Sequence, residues 1–152
     1  MKSEIVEHSA EFTIDQSIDL VFPLQSPEGE KLWIPGWDYE NIMGTTKLHE
    51  DYIFKTKSHD HAETDAIWIV KKYDTENYIA QFYKVEPEAK IGVVTVHCET
   101  VNNISTKLKI TYKYIGLSEK GNEFVKNFSE DEYNLFIAEW QKLLEEYFDN
   151  KS

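Results

Sequence analysis

Two histidines in the segment HDHAETD (59–65) are the residues best suited to metal binding. His59 and His61 alternate with acidic residues, and imidazole combined with carboxylate is a ligand set that suits zinc and related ions. The segment falls in a predicted hairpin turn, where alternate side chains diverge and no rigid third ligand completes a coordination shell. We therefore predict no metal site here.

His8 is a candidate for acid–base chemistry. Strand alternation places it on the same face as Val6, Ala10 and Phe12, so its imidazole is predicted to point inward. There it could orient a ligand or act as a general base. The alternative is a structural histidine that hydrogen-bonds a neighbouring tyrosine. Tyr112, on the predicted inner face of a later strand, is the second catalytic candidate.

Nucleophilic catalysis and nucleotide binding lack support in the sequence. The single cysteine, Cys98, excludes an internal disulfide, and we predict that it is a small buried hydrophobic residue. The motifs GxSxG, GxGxxG, P-loop and HExxH do not occur. We therefore predict neither a cofactor nor a metal.

Composition restricts the class of protein further. The 152 residues, 41% of them hydrophobic, suit a single domain spanning 1–152. A net charge of −12 disfavours nucleic acid and anionic lipid as partners. There is no apolar run long enough to cross a membrane and no signal-peptide pattern, so we predict a cytoplasmic protein without membrane insertion.

The aromatic content of 14% is high for a core of this size. A close-packed small interior is built mostly from aliphatic residues, so many large rings suggest walls around a space. The alternative is simply that the strands are rich in aromatic residues, which strands favour.

The periodicity of the chain predicts an α+β fold. Residues 4–14 alternate as a half-buried strand, and a short helix follows at IDLVFPLQ (18–25). Ser129 and Glu132 form a capping box before a long C-terminal helix. Five further strands are predicted, separated by short polar turns that favour antiparallel neighbours, over residues 47–57, 65–73, 78–87, 91–101 and 104–115. The apolar stripe of the helix consists of Tyr133, Phe136, Ile137, Trp140, Leu144 and Tyr147.

The segment FPLQSPEGEKLWIPGW (22–37) combines chain-breaking residues with two tryptophans. Together with the following Asp, it resembles the signature Phe-Pro-Leu, Pro-x-Gly-Glu, Trp-x-x-Gly-Trp of a bacterial subgroup of the SRPBCC superfamily. The later segments IWIVKKYD, VEP with IGVVTV, TYKYIGLSEKGN and AEW match that subgroup in order and spacing. The superfamily also includes START domains, the birch-pollen-allergen group, polyketide cyclases and Aha1-type domains.

This resemblance implies a helix-grip fold. A curved antiparallel sheet of about six or seven strands would wrap around the C-terminal helix and leave a cavity, with short helices after the first strand at its mouth. Trp33 and Trp37 would turn inward as part of a lid, or alternatively plug the end of the core. Glu28 and Glu30 are predicted to be solvated or capping groups.

The leading functional prediction is binding of a hydrophobic or aromatic small molecule in this cavity. One alternative is an enzyme of the polyketide cyclase, dehydratase or isomerase type that uses the same cavity, and another is an Aha1-type protein-interaction module. A second copy of the chain, in a homodimer, is a further candidate partner. The inward or outward direction of Trp68 and Tyr83 is ambiguous, because both faces of their strands look apolar. The predicted ligand-binding residues are Trp33, Trp37, Phe54, Trp68, Tyr83, Tyr112, Phe136 and Trp140.

Overall fold

The computed structural model describes residues 1–57 and 65–151. The described strands, in chain order, are β1 (Ile5–Ile14), β2 (Glu40–Asn41), β3 (Ile53–Thr56), β4 (Ala66–Asp74), β5 (Ile79–Glu86), β6 (Lys90–Asn102) and β7 (Ser105–Gly116). The helices are α1 (Ile18–Val21), a 3-10 helix (Phe22–Gln25), α2 (Pro27–Glu30), α3 (Glu119–Asn127) and α4 (Glu130–Lys151).

The seven strands form one antiparallel sheet in the order β1-β7-β6-β5-β4-β3-β2. The first strand joins the last, while the others follow one another as a meander. A bulge interrupts the pairing of β4 with β5 between Val70 and Lys72, and such extra residues bend a strand and increase its twist. The sheet is curved, and α4 packs on its concave face. The predicted α+β helix-grip fold is confirmed.

Alternation along β7 defines the inner face of the sheet. Leu108, Ile110, Tyr112 and Tyr114 are buried, and the lysines between them lie on the other face. This agrees with the predicted period of two. The inner face is therefore built largely from apolar and aromatic side chains.

Helix α4 begins after Ser129, whose hydroxyl accepts a hydrogen bond from the Glu132 amide at 3.1 Å, as the predicted cap requires. Four residues of the predicted stripe are buried: Tyr133, Ile137, Trp140 and Leu144. Phe136 remains 40% exposed, because it lies at the edge of the stripe. Among residues 1–57 and 65–151, none of the helices combines the length and apolarity needed to cross a bilayer.

The predicted strand over 47–57 is too long. Only Ile53–Thr56 forms β3, because Asp51 has a φ of 69° and the Tyr52 amide donates to the His49 carbonyl in a turn. A left-handed residue ends an extended segment. The two-residue strand β2, which pairs with β3, was not predicted, since two residues carry no periodicity.

Candidate functional site

A cavity of about 270 Å³ lies between the inner face of the sheet and α4. The α2 segment and the turn that follows it close one side. All four tryptophans of the chain belong to its wall. The lining residues are Pro27, Glu30, Trp33, Ile34, Trp37, Phe54, Trp68, Phe82, Lys84, Val94, Val96, Tyr112, Phe136, Glu139, Trp140 and Leu143.

The sheet wall is an aromatic stack that the strand register brings together. Phe54 on β3 pairs with Trp68 on β4, and their rings stack with centroids 5.5 Å apart and planes 9° apart. Phe82 on β5 meets the Trp68 ring edge-on at 6.1 Å. Such contacts fix each ring against its neighbour. Beside them, the Lys84 ammonium lies 5.3 Å from the centre of the Trp68 ring.

The α2 segment folds tightly enough to place its side chains over the cavity. The Ser26 hydroxyl accepts from the Gly29 amide at 3.0 Å and caps α2. A Cβ on Gly29 would lie 2.3 Å from the Pro23 carbonyl oxygen, so only glycine allows this close packing on the 3-10 helix. The Ile34 amide then donates to the Glu30 carbonyl at 2.9 Å, which continues helical spacing beyond α2.

Hydrogen bonds hold three indole rings of the wall by their polar edges. The Trp33 Nε1–H donates to the Leu24 carbonyl and that of Trp37 donates to the Pro27 carbonyl, both at 2.8 Å. The Trp68 Nε1–H donates to the Thr56 hydroxyl at 3.0 Å. Because buried indole N–H groups need partners, these bonds fix the direction of each ring. The wall is thereby preorganised.

Helix α4 supplies the opposite wall through Phe136 and Trp140. The Phe136 ring meets Tyr112 of the sheet at 5.4 Å and Trp140 of its own helix at 6.1 Å. Trp140 also meets Trp33 edge-on at 5.5 Å. Phe136 therefore links Trp140 of the helix to Tyr112 of the sheet.

Glu30 brings a carboxyl group to the cavity wall. Its side chain is half-buried and faces the cavity. The loss of solvation there raises its pKa to about 8. Burial also raises the pKa of Tyr112 well above its ordinary value, and the nearby Glu30 adds to that rise. The prediction that Glu30 is a solvated or capping group is therefore wrong.

Glu28, two residues earlier, has a different environment. Its carboxylate accepts a 2.6 Å hydrogen bond from the Tyr39 hydroxyl and lies 3.4 Å from the Lys31 ammonium. The Tyr39 bond is the main reason why its pKa is lowered. The helical turn points Glu28 away from the cavity and Glu30 into it.

The structure brings seven of the eight predicted ligand-binding residues to the cavity wall. The exception is Tyr83, which alternates with the inward-facing Phe82 and Lys84 and therefore lies on the outer face. There the Lys71 ammonium is 5.2 Å from its ring centre. Placing Tyr83 at the cavity was wrong, because the two faces of β5 were not distinguishable by hydrophobicity. That the other seven contact a ligand stays a prediction.

His8 lies on the inner side of β1 but is not part of the cavity wall. Its Nε2 atom is 2.9 Å from the Phe128 carbonyl oxygen, and its ring stacks on Tyr133 at 5.6 Å. The partner is thus a backbone carbonyl rather than a tyrosine hydroxyl. Tyr112, the other catalytic candidate, does line the cavity. A catalytic role for either residue stays a prediction.

The remaining sequence candidates do not join this site. Cys98 is buried at 1% exposure, and burial raises its thiol pKa to about 12, which agrees with the predicted hydrophobic role. His59 and His61 lie outside the described residues. Among residues 1–57 and 65–151 there is no group of three His, Cys, Asp or Glu side chains that could hold a metal ion.

Sequence reasoning missed nine residues of the wall. For some of them a signal existed: Pro27, Glu30 and Ile34 precede the predicted Trp37 at spacings of three and four, the spacing of a helical face. The glycines and prolines in this segment obscured that pattern. The missed residues are Pro27, Glu30, Ile34, Phe82, Lys84, Val94, Val96, Glu139 and Leu143.

Comparison with known proteins gives the same fold. The chain matches no protein-family model, and no curated protein matches its sequence significantly. Among solved structures, a point mutant of Thalictrum flavum norcoclaurine synthase aligns with a TM-score of 0.71 at 14% identity, over 100% of this chain and 99% of that one.

Two further structures extend the comparison. Panax ginseng major latex-like protein 151 aligns with a TM-score of 0.70 at 16% identity, over 94% of this chain and 97% of that one. The Mll3558 protein of Rhizobium loti aligns with a TM-score of 0.68 at 13% identity, over 97% of this chain and 99% of that one. At these identities the likeness concerns the fold. The chain has the helix-grip fold of the Bet v 1-like proteins, which agrees with the predicted resemblance to the SRPBCC superfamily.

Proposed function

We propose that the protein binds a small hydrophobic or aromatic molecule in the cavity between the sheet and α4. The observation that carries this proposal is a cavity of about 270 Å³ in whose wall eight of the sixteen residues are aromatic, including all four tryptophans. Ligand pockets generally measure about 300–1,000 Å³ and are lined mainly by apolar and aromatic residues with a few polar groups. This cavity is at the small end, which favours a compound with one or two rings.

The rigidity of the wall supports the proposal. Three indoles are fixed by hydrogen bonds from Trp33, Trp37 and Trp68, and Trp68 is also stacked on Phe54. A site whose side chains are already ordered loses little conformational entropy when a ligand binds. Aromatic faces, rather than polar edges, are then presented to the cavity.

The expected affinity follows from the apolar area that a ligand would lose to the cavity. At roughly 25 cal/mol per Å², burial of about 300 Å² contributes about 7 kcal/mol before association costs. Micromolar dissociation constants are therefore expected for a well-fitting ring compound.

The comparisons add a precedent for this chemistry in the same fold. Thalictrum flavum norcoclaurine synthase was solved in complex with dopamine and hydroxybenzaldehyde, and it aligns with a TM-score of 0.59 at 18% identity, over 82% of this chain and 73% of that one. Both compounds contain a single aromatic ring. The precedent supports the size class of the ligand and says nothing of its identity.

Tryptophan fluorescence tests the proposal directly, because every tryptophan of the chain lines the cavity. A panel of one- and two-ring compounds should include members that change the emission and raise the melting temperature in a saturable manner. Val94→Phe, which places a ring in the cavity, should abolish both responses. A panel without any saturable response, or responses unchanged in Val94→Phe, would contradict the proposal.

A further inference from the structure

Glu30 gives the cavity a polar feature that a purely hydrophobic site does not need. Glu30 lines the cavity together with eight aromatic side chains, on the side closed by the α2 segment. Burial disfavours the ionised form and raises the pKa of Glu30 to about 8. Retaining such a group has a cost in stability, so a ligand that interacts with it is the simplest explanation of its presence.

The rings around Glu30 are suited to a cation. A positive charge over the face of Trp, Tyr or Phe is attracted by the quadrupole of the ring, most strongly by tryptophan, and aromatic cages recognise substituted ammonium groups in this way. The sheet wall already holds one cation in this manner, since the Lys84 ammonium lies 5.3 Å from the Trp68 ring centre. The net charge of −12 also attracts cations to the protein.

We propose that the cavity is selective for an aromatic compound that carries an ammonium group, with Glu30 as the counter-ion of that group and the surrounding rings as its cage. This inference rests on the proposed function of the cavity and specifies the class of ligand. The aromatic part of the ligand lies against Phe54, Trp68 and Phe82, and the cation lies toward α2.

The charges around the cavity define how binding depends on pH. Tyr112 on β7, Lys84 on β5 and Glu139 on α4 also line it, and Glu28 and Lys31 flank Glu30 on its own segment. Tyr112 stays neutral near pH 8, because burial raises its pKa well above the ordinary value. Lys84 carries the same charge as the proposed ligand and therefore offsets part of the attraction, while Glu139 is exposed to solvent.

A permanently charged ligand and its neutral isostere form the test. Benzyltrimethylammonium and neopentylbenzene have nearly the same shape and differ in charge, and the charge of the first does not titrate. Because a carboxyl with a pKa of about 8 is about one-tenth ionised at pH 7, the cation should bind about tenfold more tightly at pH 9 than at pH 7. The affinity of the isostere should change little over this range.

Calorimetry provides a second readout that requires no variant. Binding of the cation at pH 7 should release about one proton, because the ligand favours the ionised form of Glu30. Titrations in buffers with different ionisation enthalpies measure that number. Glu30→Gln should remove both the proton release and the pH dependence, and should lower the affinity for the cation about a hundredfold at pH 9, the preference that a nearly complete proton release requires. Glu145→Gln, on the exposed part of α4 and outside the cavity wall, is the matched control and should leave the proton release, the pH dependence and the affinity nearly unchanged.

Each result decides the inference. Tighter binding of the cation with the stated pH dependence, lost in Glu30→Gln and kept in Glu145→Gln, supports the inference. Equal binding of both compounds, or an equal loss in the two variants, overturns the inference while the cavity remains a binding site. If neither these compounds nor any member of the aromatic panel binds, the proposed function fails with it.

Discussion

Two aromatic clusters of the described residues lie on the concave side of the sheet, and one of them lines the cavity between the sheet and α4. The packed cluster consists of His8, Tyr114, Phe124, Phe128 and Tyr133, whose neighbouring ring centroids lie 5.3–6.1 Å apart. The cavity wall has similar rings at similar separations, including the stacked pair of Phe54 and Trp68 at 5.5 Å. Aromatic content alone does not distinguish the two regions.

The difference lies in where the polar edges of the rings are bound. In the packed cluster, His8 contacts the Phe128 carbonyl and the Tyr133 hydroxyl donates to the Ile110 carbonyl, so the polar bonds draw β1, β7 and α4 together. At the cavity, Trp33 and Trp37 donate to carbonyls of their own segment. Those bonds hold the two rings against the α2 segment and do not connect that segment to α4. Local bonding therefore keeps this end of the groove open.

Truncation of Tyr133 should have the largest effect on stability. The side chain is fully buried and contacts His8, Phe128 and Tyr112, so Tyr133→Ala should lower the free energy of unfolding by about 3–5 kcal/mol. Urea denaturation measures this change. A loss below about 1 kcal/mol would show that the packed cluster is as loosely filled as the cavity.

A pair of enlarging substitutions compares the two regions directly. Val125 is buried on α3 and does not belong to the cavity wall, so Val125→Phe should destabilise the protein by about 1–3 kcal/mol. Val94 lines the cavity, and Val94→Phe should change stability by less than about 1 kcal/mol because the new ring fills existing space. Equal losses in the two variants would contradict a cavity at Val94.

Glu30 should make the protein less stable as pH rises. Its pKa is about 8 in the folded chain against 4.5 when unfolded. The unfolded chain therefore releases this proton first, and the stability contribution of Glu30 decreases from about pH 4.5 to about pH 8. Glu30→Gln should remove that decrease and raise the free energy of unfolding at pH 8 by on the order of 1–3 kcal/mol, after allowance for water in the cavity.

The pH scan includes its own check. Thermal unfolding of the wild type and of Glu30→Gln should converge at about pH 4.5 and separate progressively above it, because both side chains are neutral at low pH. If the stabilities of the two proteins differ by the same amount at every pH, the effect of Glu30→Gln comes from packing and not from the ionisation of Glu30.

The smallest expected effect concerns the hydrogen bond that holds Trp37. Trp37→Phe keeps an aromatic ring but removes the 2.8 Å bond to the Pro27 carbonyl, so the free energy of unfolding should fall by about 0.5–1.5 kcal/mol. If this hydrogen bond keeps the α2 segment and the following turn in place beside the cavity, ligand affinity should fall as well. If the ligand titration shows unchanged affinity, the Trp37 hydrogen bond contributes to stability but not to ligand binding.

Most of the fold was predictable because it depends on short-range patterns. The alternation in β1 and β7 and the capping box of Ser129 and Glu132 each gave the correct element. The failures were local: Asp51 adopts a left-handed conformation that ends β3 early. Tyr83 faces outward although its strand looks apolar on both sides.

The cavity was only partly predictable, and the reason is geometric. Residues such as Trp33 and Trp140 could be expected to face the core from their own segments. That Trp33 meets Trp140 while Phe136 reaches Tyr112 depends on the curvature of the sheet and on the position of α4. Sequence periodicity does not predict these contacts, because the contacting residues are far apart in the chain.

The sequence by itself determined the elements, their order and the apolar faces that must be buried, because periodicity and capping act within one or two helical turns. Only the tertiary structure decided that the space between sheet and helix stays open and that Glu30 faces it. The physical reason is that an unfilled volume and a raised carboxyl pKa are properties of several segments packed together. Neither is encoded at any single position of the chain.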